Sequence, residues 1–428
     1  MSYLNILGGR PLCGTVAVSG SKNATLPMMA AALLADGPVR LQNVPRVTDV
    51  WTLSRVLDDL GLAVTRSGDE LLLEVVDVAP IRAGYRWVHR MRAGFCVLGP
   101  LLARRGRAVV PLPGGCAIGD RPVDLHLKGL AALGAEVRLE HGYVVASARR
   151  LAGTSLDLTG PRGPTVTGTA NVLSAAVLAR GTTVIRGAAR EPEIVELGQF
   201  LRAMGAQIDG LGTGRIEVTG VAGLRGGTHR VTADRIETAT LLIAAAISGG
   251  SATIAGVVPE HLERVLQKLR AAGMRVAVDR DRVSLAADGP PLPVDLLAEP
   301  YPGISTDLQA QWTALMSLAH GRSRVEDRVF PMRFRHVAEL NRLGAGIVCG
   351  SGAACIPGGA RLSGAQVTAC DLRASAALVL AGLAAAGRTV VRRIDPMDRG
   401  YERLDRKLRQ LGAHIQRVAG PSPTRVSP

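Results

Sequence analysis

Six copies of one short pattern, evenly spaced, restrict this chain more than any other feature of it. A leucine-rich stretch ending in Gly runs into an apolar strand at Leu60-Gly61-Leu62-Ala63-Val64, Leu133-Gly134-Ala135-Glu136-Val137 and Met204-Gly205-Ala206-Gln207-Ile208. It returns at Ala272-Gly273-Met274-Arg275-Val276, Leu343-Gly344-Ala345-Gly346-Ile347 and Leu411-Gly412-Ala413-His414-Ile415. These glycines are 73, 71, 68, 71 and 68 residues apart, a spacing longer than that of solenoid repeats. A second pattern keeps step with the first: an Ala/Leu-rich helix, a Gly, then a β-branched strand. Its glycines are Gly37, Gly106, Gly181, Gly249, Gly321 and Gly387. Each reads as the left-handed cap that ends a helix, with strands such as Thr183-Val184-Ile185 following at once.

Each unit is then a strand–helix–strand–helix–strand module, and six of them fill the 428 residues. Three modules per globule give two α/β domains with helices inside and sheets outside. Aromatics are only 3% against 47% hydrophobic residues, so the cores must be built from Ala, Val, Leu and Ile.

Fourteen residues before each glycine of the second pattern stand Asn23, Arg92, Thr167, Arg235, Asp307 and Arg373. All six are polar, at positions where helices should begin. Helix N-termini offer unpaired N–H groups and a partial positive charge. Ordinary capping accounts for any one of them. Six together, with Lys22 beside the first, suggest an anion site between two domains. The formal charge of +15 also favours anionic partners. Nucleic acid gains no support, because the basic residues are dispersed without interleaved aromatics. The longest weakly polar run, from Ala374 to Gly387, is too short to span a membrane. The first residues lack the features of a signal peptide. The six cysteines show no Cys-x-x-Cys spacing and no neighbouring His pair, so neither a metal site nor a disulfide framework is expected, and a cytoplasmic location is.

Four stretches carry chemistry. Ser19-Gly20-Ser21-Lys22-Asn23-Ala24 leads a strand into a helix with Lys at the turn, suited to a phosphate or carboxylate. Pro111 to His126 holds Cys116 in a Gly/Pro-rich loop with Arg121 nearby to favour the thiolate, whereas Cys13, Cys96, Cys349, Cys355 and Cys370 read as buried thiols. Asp307, after Pro302-Gly303-Ile304-Ser305-Thr306, is either an N-cap or a base at a closing cleft. Asp395 to Glu402 reads as a solvated, charged helix start.

These stretches jointly resemble the enolpyruvyl transferase family over about residues 4 to 418. The motifs, in order, are Ser21-Lys22-Asn23-Ala24, Met91-Arg92-Ala93, Pro113-Gly114-Gly115-Cys116, Arg121-Pro122-Val123-Asp124-Leu125-His126, Thr306-Asp307-Leu308-Gln309-Ala310-Gln311, Asp371-Leu372-Arg373-Ala374 and Asp398-Arg399-Gly400-Tyr401-Glu402. The resemblance implies a two-domain inside-out α/β barrel of six βαβαββ repeats, three per domain. Residues 22–229 would form one domain, and 1–21 with 230–428 the other. It implies transfer of the enolpyruvyl group of phosphoenolpyruvate to the 3′-hydroxyl of UDP-N-acetylglucosamine with release of phosphate, the first committed step of peptidoglycan synthesis, without a cofactor or metal. Lys22, Asn23, Arg121 and Arg399 would hold phosphoenolpyruvate. Cys116 would be the general acid for its methylene carbon and the thiol that fosfomycin alkylates. Asp307 would take the sugar hydroxyl proton. Asn23, Arg92, Arg121, Pro122, Val123, Asp124, Leu125, Thr165, Val166, Asp307 and Val329 would bind the nucleotide sugar, with Asp371 and Arg373 supporting the cleft.

Two stretches depart from the family pattern: Thr165-Val166-Thr167-Gly168-Thr169, where Ser-Val-Gly-Ala-Thr is usual, and Phe330-Pro331-Met332-Arg333-Phe334, where Phe-Glu-Asn-Arg-Phe is usual. The acceptor therefore stays open between UDP-N-acetylglucosamine and another uridine nucleotide such as UMP, used in secondary metabolism. Shikimate 3-phosphate is disfavoured, because that branch of the family lacks the Cys loop.

Overall fold

The computed structural model describes residues 2–114, 118–119 and 122–419. Six sheets answer the six repeats, five of four strands and one of three. In five of them the strand after the inner helix pairs in parallel with a strand from elsewhere in the chain. Val39–Gln42 takes Gly227–Arg230, Thr182–Arg186 takes Ser155–Asp157, and Ser251–Ala255 takes Cys13–Ala17. Ser323–Asp327 takes Leu296–Ala298, and Arg388–Arg392 takes Gln366–Thr368. The sheet of Arg107–Pro111 keeps only a single parallel bridge, between Arg82 and Val109, in that place. The N-terminal strand Tyr3–Leu7 fills the middle of the last sheet, antiparallel to both Arg388–Arg392 and His414–Val418.

Two hydrophobic cores result. One gathers residues between Ala24 and Val231, the other residues 4–16 together with 236–415. Three helices fill the centre of each: Lys22–Ala31, Leu98–Arg105 and Val166–Ala176 in the first, and Arg235–Ile247, Gln309–Met316 and Leu372–Ala384 in the second. Their small side chains let them pack directly on one another and be buried nearly all round, the expected composition for helices without a solvent face. The expected layering, helices inside and sheets outside, is the one observed.

The glycines do two different jobs. All six of the first pattern have positive φ, from 74° at Gly61 to 111° at Gly205. At Gly134, Gly205, Gly273, Gly344 and Gly412 the paired bonds of a Schellman cap are complete, as in Gly205 N–H to Arg202 O and Ala206 N–H to Leu201 O. The second pattern is corrected in part by the structure: Gly106 and Gly249 are left-handed caps, the latter with the full Schellman pair of Gly249 N–H to Ala246 O and Gly250 N–H to Ala245 O. The other inner helices close two to four residues before their glycine, some in tight i→i−3 turns such as Ala179 N–H to Ala176 O.

The chain passes between the two cores at residues 18–22 and 231–235, where the segments lie antiparallel. Ser21 N–H donates to Thr232 O (2.7 Å), Asp234 N–H donates to Ser19 O (2.9 Å), and Gly20 bridges Ala233. A Cβ on Gly20 would stand 1.7 Å from the Asn43 carbonyl oxygen, so this crossing accepts only glycine.

Candidate active site

Both crossings end at inner-helix N-termini, which sets the charged side chains of the two cores against each other. Ser21 caps the Lys22–Ala31 helix, and Asp234 caps Arg235–Ile247 through the N–H groups of Ile236 and Glu237. The second Asp234 oxygen accepts the Lys22 N–H (3.3 Å), joining the two helix starts. All six polar residues read from the spacing stand in first turns as expected, Arg92 and Asp307 in short 3₁₀ segments that lead into helices.

Lys22 and Arg399 converge on one carboxylate that sequence reasoning missed. The Asp49 carboxylate accepts from Lys22 Nζ (3.3 Å) and Arg399 Nε (2.8 Å) and is 4% exposed. Asp49 sits in the first turn of the amphipathic Thr48–Asp59 helix, where an acid looks like an ordinary dipole partner, and only the fold brings Arg399 to it.

Asp307 is not an N-cap: Ser305 fills that role, accepting from the Asp307 N–H. Its carboxylate is clasped from two sides instead. Arg333 Nη1 donates to Oδ1 and Arg373 Nη2 donates to Oδ2, both at 2.8 Å. Burial alone would push the Asp307 carboxyl up. The Arg373 and Arg333 guanidinium groups outweigh burial and, with Lys22 adding to their field, hold it well below the usual carboxylate range. Arg333 also donates to Thr306 Oγ1, whose hydroxyl donates to Asp327 (2.6 Å). Asp327 in turn accepts the Val329 N–H, which ties that expected nucleotide-binding position to the same cluster. Asp371 caps Leu372–Ala384 through the N–H groups of Arg373 and Ala374.

The remaining positions lie on first-core elements. Asn23 follows Lys22 in its helix, and Arg92 donates to the Pro122 carbonyl (2.6 Å). Val123 and Asp124 begin the Asp124–Ala132 helix, and Leu125 packs against Gly160. Thr165 caps Val166–Ala176 by accepting the Gly168 N–H. The unusual Thr167 is used internally. Its hydroxyl meets His126 Nε2 (3.1 Å), while Asn171 Nδ2 lies 2.8 Å from the other ring nitrogen, Nδ1. The unusual Met332 is 75% exposed and faces Gly119, at the far end of the Cys loop. Cys116 and Arg121 lie outside the described residues.

Two expectations need correcting. Cys13, Cys349 and Cys355 are exposed, because they stand on strand faces turned to solvent, so burial does not set Cys116 apart from them. Burial next to the Asp371 carboxylate does push the Cys370 thiol up to about 12. Nor is Asp395–Glu402 a solvated helix start: Tyr401 within it is buried beneath Arg373.

Among the described residues no helix is long and apolar enough to cross a membrane. The family profile of EPSP synthase (3-phosphoshikimate 1-carboxyvinyltransferase) matches residues 6–408. The UDP-N-acetylglucosamine 1-carboxyvinyltransferase of Anaeromyxobacter dehalogenans strain 2CP-1 is 52% identical over 98% of this chain and 100% of its own. The Halorhodospira halophila protein of the same name is 49% identical over 98% and 100%. Among solved structures, the enolpyruvyl transferase NikO from Streptomyces tendae superposes with a TM-score of 0.88 at 25% identity, covering 98% of this chain and 99% of its own. An EPSP synthase from Acinetobacter baumannii shares the fold at a TM-score of 0.74 and 18% identity, covering 98% and 100%. Six sheets around two triads of buried helices, matched end to end by these relatives, make this chain a member of the enolpyruvyl transferase family.

Proposed function

We propose that the chain transfers the enolpyruvyl group of phosphoenolpyruvate to the 3′-hydroxyl of UDP-N-acetylglucosamine, releasing phosphate, as a cytoplasmic enzyme of peptidoglycan synthesis. The observation that carries this reading is the pairing of Lys22 and Arg399 on Asp49 with a second carboxylate, Asp307, held ionised by Arg333 and Arg373. The two cores and the paired crossings support a division into domains of residues 22–229 and of 1–21 with 230–428, with the cleft between them. Lys22 and Arg399 reach that cleft from opposite cores, with Asn23 and Arg121 completing the cradle for the donor anion.

The chemistry balances without a further reactant. Cys116 gives a proton to the methylene carbon of phosphoenolpyruvate, and the carbon bearing phosphate gains oxocarbenium character. The acceptor hydroxyl attacks that carbon while Asp307 takes its proton. The Cys116 thiolate then takes back a proton from the new methyl group, the double bond is restored, and phosphate leaves with the proton that Asp307 had taken. Fixed cations beside the phosphate and carboxylate stabilise this charge development, and two domains closing over the substrates exclude water. Arg92, Pro122 to Leu125, Thr165, Val166 and Val329 hold the nucleotide sugar. Thr167 is occupied by His126, so that departure from the family pattern leaves the Thr165 cap intact.

Phosphate release should require both phosphoenolpyruvate and UDP-N-acetylglucosamine. Release with UMP but not with the nucleotide sugar would move the acceptor to another uridine nucleotide. Fosfomycin should add one equivalent, at Cys116, and abolish turnover. Because Cys13, Cys349 and Cys355 are exposed, peptide mapping decides the matter, and alkylation at one of those instead would remove Cys116 from the mechanism.

A further inference from the structure

Behind the Asp307 carboxylate lies a ring of buried groups. Gln311 Nε2 donates to the Asp307 carbonyl (2.9 Å) and lies 3.0 Å from Tyr401 Oη and 3.1 Å from Thr240 Oγ1. Tyr401 Oη and Thr240 Oγ1 are themselves 3.0 Å apart. The Arg373 guanidinium stands over the Tyr401 ring, 5.0 Å from its centroid, and Arg373 closes the circuit by donating to Asp307 Oδ2. Gln311 and Thr240 are fully buried, and Tyr401 and Arg373 are 1% exposed.

The weak point of this ring is Arg373. Among the described residues its Nε and Nη1 have no well-formed hydrogen bond, so the bond to Asp307 and the close approach of Tyr401, ring face and hydroxyl together, fix the group. A planar guanidinium with one anchoring bond keeps its orientation only if something holds its plane, and an aromatic face does that. Leu372–Ala384 supplies the arginine, and the segment after the 3₁₀ turn Met397–Arg399 supplies the ring. Tyr401 therefore also couples Asp307 to the short turn that presents Arg399 to Asp49.

We infer that Tyr401, steadied by Gln311, is a positioning residue for the transfer reaction: it holds the Arg373 guanidinium in plane against Asp307 and so fixes where that carboxylate meets the acceptor hydroxyl. The inference rests on Asp307 acting as the base. Among the described residues, the charged and titratable groups around Asp307 include Arg333, Arg373 and Lys22, with Asp327 linked through Thr306, Asp234 beyond Arg373, and Tyr401 itself.

Tyr401→Leu removes the ring, while Tyr401→Phe keeps it. The leucine variant should lose at least about tenfold in kcat at pH 8, with KM for both substrates within threefold of the parent. Its acid limb should move to higher pH, because a displaced guanidinium relaxes its hold on the carboxylate. Tyr401→Phe should stay within about threefold of the parent in kcat. Gln311→Met, which keeps volume and removes the amide, should show the same signature at smaller size and serves if Tyr401→Leu does not fold. A folded leucine variant with unchanged kcat and acid limb would overturn the inference, as would a phenylalanine variant as impaired as the leucine one. Asp307→Asn separates the two claims: if it turns over normally the base assignment fails, and if it is dead while Tyr401→Leu is normal, the positioning role alone fails.

Discussion

Asp307→Asn is expected to lower turnover by about 10²–10⁴-fold, the range a positioned general base contributes, with KM for phosphoenolpyruvate nearly unchanged. Asparagine keeps the volume, but its one oxygen can accept from Arg373 or from Arg333 and not from both, and it cannot take a proton from the acceptor. The substitution also has a stability signature. Arg373 is fully buried, and breaking a buried ion pair from one side costs about 3–5 kcal/mol. Asp307 is itself partly exposed and Arg333 keeps Thr306, so the lower end is expected. The folded carboxyl titrates well below its unfolded value, so its stabilisation is complete above about pH 4 and is lost as pH falls through the folded value. The gap between parent and variant in denaturant melts should therefore be the same at pH 5, 7 and 8 and should shrink only in stronger acid. Near-normal turnover would return Asp307 to a purely structural clasp, whatever the melts show.

The repeats, the two cores and the first turns of the inner helices were legible because each depends on local chemistry: a Gly that must take positive φ, an apolar period, a polar residue where a helix begins. Arg373 and Asp307 were found by that route. Asp49 was not, since its burial and its two cationic partners come from residues 27 and 350 positions away in sequence. Tyr401 was quoted within a motif and read as solvated, because its charged neighbours Arg399 and Glu402 set the tone of the segment. In the fold those neighbours point toward the other core, Arg399 to Asp49 and Glu402 to the Arg46 N–H, while the ring between them turns into its own. Thr167 shows the opposite error. A departure from the family pattern pointed toward the acceptor, yet its hydroxyl serves a buried histidine. Exposure of cysteines failed as a guide too, because a strand face turned to solvent displays a thiol as readily as a loop does.

Lys22→Met should cut kcat/KM for phosphoenolpyruvate by about a hundredfold or more, the scale for truncating one member of a buried, hydrogen-bonded charge set. Binding of UDP-N-acetylglucosamine should change by less than about threefold. The fold should tolerate this change better than most at the site. Asp49 keeps Arg399 as a partner at 2.8 Å, so no carboxylate is left alone, and the helix start is held by the Ser21 cap and by Asp234 through the backbone, which methionine preserves. The ammonium also bears on both carboxylates: it bonds Asp49 beside Arg399, and its field reaches Asp307. Removing it should weaken capture of the donor anion, and because Arg373 and Arg333 still hold the Asp307 carboxyl low, the loss should be the same at pH 6 and pH 8. Initial rates with phosphoenolpyruvate varied at both pH values, alongside calorimetric titration of the nucleotide sugar, check this. Equal losses for both substrates would mean that Lys22 merely supports the helix start; a loss selective for phosphoenolpyruvate ties the donor anion to the crossing between the cores.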